Sequence, residues 1–141
     1  MAIGYAYDDN LRLALIVWVG EVTAEDWRAQ ASRGVVDPMV AAAPRVLADV
    51  QLASLHNSVD EEVIGEIADL WGASGVFSGK PLAVVAAGAG FSDAKLFEKA
   101  MAEHGSRLIV FNDFDAACVW LGVEPGPVRR HVAQMVAELA G

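Results

Sequence analysis

Apolar and polar residues change period several times along the chain, and each change marks an element. Ile3–Tyr7 and Leu11–Val19 are strand-like runs on either side of Asp8-Asp9-Asn10, whose short polar side chains favour a tight turn, so together they predict a β-hairpin. Thr23 stands before Ala24-Glu25-Asp26-Trp27, where a hydroxyl can cap a first turn and two acids suit its positive end, which predicts a helix from about Ala24 to Arg33. Pro38 and Pro44 bracket a weaker helical segment. Arg45–Val50 reads as a short central strand, followed by a loop over Gln51–Ser58. Between Val59 and Ala73 the apolar residues Val63, Ile64, Ile67, Leu70 and Trp71 recur at steps of three and four, the stripe of a half-buried helix.

The unbroken apolar run Leu82–Ala87 suits a strand covered on both faces. Gly88-Ala89-Gly90 then predicts a loop, with Ser92 placed to cap a helix from Asp93 to His104. A further strand, Arg107–Phe111, passes through Asn112-Asp113 into a helix, Phe114–Leu121, that Gly122 ends. A last helix over Val128–Leu139 carries Val128, Val132, Met135, Val136 and Leu139 on one side. Two strands and a helix, then strand and helix three times over, predict a single α/β domain with a four- or five-stranded, mostly parallel mixed sheet that starts with a β-hairpin and is flanked by helices. Residues 1–141 form that domain, with 123–141 as a C-terminal helical extension. In such sheets ligands bind at the carboxyl ends of the strands, which points to Ser54–Ser58, Gly88–Ser92 and Asn112 with Asp113.

Composition narrows the function classes. A chain of 141 residues that is 55% hydrophobic and 21% charged buries a sizeable core and is not disordered. Its formal net charge of −9 repels phosphate backbones, which argues against nucleic acid as a partner. No apolar run approaches the ~20 residues of a membrane span. The start of the chain lacks the basic and long apolar regions of a secretory signal, and the lone Cys118 permits no internal disulfide, so a cytoplasmic location is expected.

Candidate chemistry is sparse. His56, His104 and His131 are far apart with no catalytic motif around them, so no catalytic residue is assigned and the chain is not expected to be an enzyme. His104 suits a helix end and His131 a solvated face. Asp60, Glu61 and Glu62 are consecutive at a helix start, where the dipole explains them, and neither a metal site nor a cofactor is expected. Gly88-Ala89-Gly90-Phe91-Ser92-Asp93 has two glycines of a dinucleotide fingerprint but Asp in place of the third, and reads better as a tight turn with a serine cap. Trp18, Trp27, Trp71 and Trp120 fall on buried or half-buried faces and read as core, with no aromatic platform among them.

The segment Leu108–Leu121, LIVFNDFDAACVWL, resembles the closing strand and helix of SpoIIAA-like proteins, and the order of elements from Tyr5 to Leu121 is similar to that group. The group shares its fold with the STAS domains of anti-sigma-factor antagonists and with lipid-binding SEC14-type domains. The resemblance implies a non-enzymatic regulatory module that binds a protein partner, or alternatively a carrier of a small apolar ligand or lipid. STAS antagonists carry an Asp in the central strand and an Asp-Ser pair whose serine is phosphorylated; Asp49 and Asn57-Ser58 fall at similar places, although Asn57 replaces the aspartate and Val59 stands where a glycine is common. Asp49, His56, Asn57, Ser58, Ser92 and Asp113 are therefore the candidate binding residues, with Ser58 the candidate phosphorylation site, although the residues alone read Ser58 as a plain cap of the helix that follows, with Asp60, Glu61 and Glu62 in its first turn. A carrier calls for an apolar pocket opened by moving a helix such as Val128–Leu139. The apolar stripe of that helix needs a cover, which a homodimer would provide.

Overall fold

The computed structural model describes residues 3–140. Strand β1 (Ile3–Asp8) turns back on β2 (Leu13–Val22) as an antiparallel hairpin, pairing Ile3 with Trp18 and Asp8 with Leu13. The turn places Arg12 in the left-handed region at φ 52°, and the Asp8 carboxylate accepts the Leu11 N–H at 3.0 Å across it. Strands β3 (Val46–Leu55), β4 (Pro81–Val85) and β5 (Arg107–Phe111) continue in parallel with β2, so the five-stranded mixed sheet has the order β1-β2-β3-β4-β5. Helices α1 (Ala24–Val36), α2 (Pro38–Ala42), α3 (Glu61–Ser74) and α4 (Ala89–Ala102) lie in the crossovers. Helices α5 (Phe114–Leu121) and α6 (Pro125–Ala140) follow β5.

Two cores lie on the two faces of the sheet. On one, Ile16, Val46, Ala48, Leu82 and Val110 meet Trp27 of α1, Ile64, Ile67 and Trp71 of α3 and Phe97 and Met101 of α4. On the other, Leu13, Leu15, Val17, Leu47 and Val85 meet Phe114, Cys118 and Leu121 of α5 and Val128, Val132 and Met135 of α6. Strand order follows chain order from β2 to β5, and right-handed crossovers then put every connecting helix on one face, leaving the second face for the two helices after β5. The α6 stripe finds its cover here, against the sheet of its own chain, so an uncovered terminal helix no longer argues for a dimer.

Local chemistry sets most element ends. Thr23 and Asp26 form a reciprocal capping box at α1, each bond 3.1 Å long. Gly122 takes the left-handed conformation, φ 77°, that stops α5. Arg45 spans the molecule at this end, donating to the carbonyl of Leu121 at 3.0 Å and of Leu11 at 2.6 Å, and so ties the hairpin turn to the end of α5.

Several boundaries differ from the sequence reading: β2 runs over Leu13–Val22 rather than Leu11–Val19, α1 continues to Val36, and α6 starts at Pro125. Helix α4 starts at Ala89 rather than Asp93, because Gly88 turns the chain at φ 58° with no side-chain cap; Ser92 lies inside the helix, exposed, and caps nothing. The cap of α3 is Asp60, which accepts the Val63 N–H at 3.0 Å, not Ser58. Strand β3 runs on to Leu55 through a bulge: Val17 pairs with Asp49 but Val19 with Leu52. The extra residue breaks the alternation of two, so the apolar pattern past Val50 does not read as strand.

Candidate functional site

The bulge and the unequal strand lengths open a cavity. Strand β4 pairs with β3 only as far as Asp49 and Val85, while β3 continues with β2 alone to Leu55. The bulge shifts the side-chain phase, so that Val50, Ala53 and Leu55 all border the space where β4 has stopped. Ile16, Ala48, Leu82 and Val84 form its floor on the sheet. Trp27 of α1, Ile64 and Trp71 of α3 and Phe97 of α4 form its walls, with Trp18 of β2 beside them. At its mouth lie Ser54, Gly90 and Asp93. The volume is about 320 Å³, within the range of small-molecule sites.

Small residues account for the space. Ala87, Ala89, Gly90 and Ala94, where the chain leaves β4 and enters α4, bring little side chain to the layer between sheet and helices. The aromatic residues around the cavity are held by each other. Trp18 and Trp27 meet edge to face at 5.3 Å between ring centroids, Trp27 and Phe97 at 5.3 Å, and Trp71 and Phe97 at 5.6 Å. The Trp71 indole N–H donates to the Ala31 carbonyl at 3.3 Å, fixing the ring between α1 and α3. Trp18, Trp27 and Trp71 lie in or against the core, as their pattern predicts, but they also border a cavity, an aromatic lining that reading along the chain misses. The one signal for it is the run of small residues from Ala86 to Gly90, which removes side chains where the wall should close. Trp120, the fourth, is 37% exposed and rests on Phe111 outside either core.

The six residues singled out from the sequence do not form one site. Ser58 and His56 lie in the turn after β3: the Ser58 hydroxyl is 2.9 Å from His56 Nδ1 and accepts the N–H of Ala24, the first residue of α1, at 3.0 Å. The serine thus supports the start of α1 rather than that of α3. The Ser58 N–H also reaches His56 Nδ1 at 3.0 Å, so this pair is a closed local turn; neither residue borders the cavity. Asn57 is exposed between them. Asp113 caps α5 through the N–H groups of Asp115 and Ala116. Asp49 is on the opposite face of the sheet from the cavity, in phase with Leu47 and near Arg129 of α6. Burial pushes its carboxyl above the ordinary value, opposed by hydrogen bonds from the backbone and side chain of Gln51 and by the Arg129 charge. Arg129 itself pairs with Asp115 and lies 4.7 Å over the Phe114 ring.

No protein-family model matches the chain, and no curated protein matches it.

His131 is not a solvated surface group. Its Nδ1 lies 2.9 Å from the Asp8 carboxylate, and both side chains are mostly covered. The pair stands beside a recess of about 440 Å³ between β1 and α6, bordered by Tyr5, His131, Gln134 and Glu138. This recess is more polar than the cavity; the apolar cavity expected under the last helix lies instead on the other face, below α1, α3 and α4. Cys118 is fully buried in the α5 core, where burial pushes its thiol up to about 11 and away from thiolate chemistry. Among the described residues no three His, Cys, Asp or Glu side chains converge as metal ligands, and no helix is long and apolar enough to cross a membrane.

Proposed function

We propose that the protein is a binding module, without chemistry of its own, that takes a small apolar ligand into the cavity between the sheet and helices α1, α3 and α4. One observation carries this: a 320 Å³ space walled by three tryptophans and a phenylalanine lies where β4 ends, at the carboxyl ends of parallel strands. A well-packed domain of this size fills such a space, since interiors are close-packed and voids cost stability. The likeness to SEC14-type carriers implied by Leu108–Leu121 agrees with the reading, with the ligand on the face away from the terminal helix. The test is calorimetric titration of the full chain with naphthol, a compact neutral probe, against wild type and Ala94→Leu. Ala94 borders the cavity from α4, so the larger side chain fills it. Binding by wild type at least tenfold tighter than by the variant is the expected result. Equal binding, or none by wild type, overturns the reading.

A regulatory reading has its own support in the Ser58 contact. The hydroxyl holds the first N–H of α1, and α1 carries Trp27 into the cavity wall, so a phosphate on Ser58 would disturb that start and with it the wall. In this reading the chain is a STAS-type module whose ligand or protein partner responds to modification at Ser58. The same titration with Ser58→Glu tests it: affinity falls severalfold if the serine is coupled to the cavity, and unchanged affinity removes the coupling.

A further inference from the structure

The cavity lining also selects a charge, and this inference rests on the ligand-binding reading above. Among the described residues that border the cavity, Asp93 is the single ionisable side chain. The other lining side chains with polar atoms are Ser54 and the three tryptophans, and the first turn of α4 brings its backbone. That turn has no side-chain cap, and its positive end is worth roughly half an elementary charge, which would favour an anion. The carboxylate of Asp93 carries a larger charge than that helix end, so the two together favour a cation. An indole or phenyl face turned to the ligand acts in the same direction, because it attracts a cation and repels an anion. Trp18, Trp27, Trp71 and Phe97 all border the space, and the chain as a whole carries −9. Size bounds the rest of the ligand: an apolar cavity of ~150 Å³ holds benzene, so twice that volume holds roughly a dozen non-hydrogen atoms.

We infer that the cavity takes a compact organic cation, an amine on an aromatic or alicyclic body, with the ammonium group at Asp93 and the body among the tryptophans. Three probes of nearly one shape separate this from simple apolar binding: phenylbutylamine, phenylbutanol and phenylbutyrate. Each is titrated calorimetrically at neutral pH into the full chain, as wild type and as Asp93→Asn. The alcohol reports the cavity alone. The amine is expected to bind roughly tenfold tighter than the alcohol, and the acid weakest. In Asp93→Asn the advantage of the amine over the alcohol disappears. An amine no tighter than the alcohol, an advantage that survives Asp93→Asn, or an acid that binds tightest overturns the inference and leaves the apolar-ligand reading standing. If none of the three binds, both fall together.

Discussion

Gly72 lies on α3 where the ring of His104, just past the end of α4, crosses the helix backbone, and a methyl group at that position would overlap the imidazole. The contact lets His104 Nε2 reach the Asp69 carboxylate at 3.0 Å and closes α4 against α3. Gly72→Ala is therefore expected to destabilise the fold by about 1–3 kcal/mol, since the ring must move and its hydrogen bond with it. Gly65, on the same helix, has nothing within reach of an added Cβ. Its change to Ala removes only the helix-interior penalty of glycine and should stabilise by up to about 1 kcal/mol. Urea unfolding of both variants checks the pair. If Gly72→Ala is as stable as Gly65→Ala, the close approach of His104 does not exist in solution.

At the scale of elements, the legible parts of the fold are those in which one local signal decides the structure. Arg107–Phe111 and Phe114–Leu121 fall where the sequence places them: the apolar run sets the strand and Gly122 stops the helix, while Asp113, read from the sequence as a binding residue, is its N-cap. The hairpin is legible from Asp8-Asp9-Asn10 and the start of α1 from Thr23, whereas the reciprocal bond of Asp26, read from the sequence as a dipole partner, is seen only in the fold. Where two signals compete, the reading fails. Ser58 and Asp60 can both cap a helix; tertiary contact decides, giving Asp60 to α3 and Ser58 to α1, whose first turn is 34 residues earlier in the chain. The β3 bulge is set by pairing with β2, which no window within β3 contains. The cavity is hidden for the same reason: it arises from the difference in length between β3 and β4 together with small residues entering α4. Its lining residues come from β2, β3, β4, α1, α3 and α4, each of which looks on its own like an ordinary core-facing segment.

Across the whole molecule, one polar contact joins the two ends of the chain. His131 on α6 meets Asp8, the last residue of β1, 123 positions apart, at the rim of the core that α6 builds on β2. The hydrogen bond with His131 holds the Asp8 carboxyl below its ordinary value, against the opposing effect of burial. A carboxyl whose value is lowered on folding adds stability that is fully present above its unfolded value, about 3.9, and is lost as the pH falls through the lower folded value. Asp8→Asn keeps the shape of the side chain and an acceptor for the Leu11 N–H but removes the charge. The variant is expected to be less stable than wild type by about 1 kcal/mol at about pH 6, and the gap should be smaller at about pH 3, below the unfolded value, where the unfolded chain already binds the proton. Urea midpoints at the two pH values measure this directly. A gap of the same size at both would mean that Asp8 acts by packing alone, and that α6 is held to the hairpin by the Val128, Val132 and Met135 contacts without help from the charge.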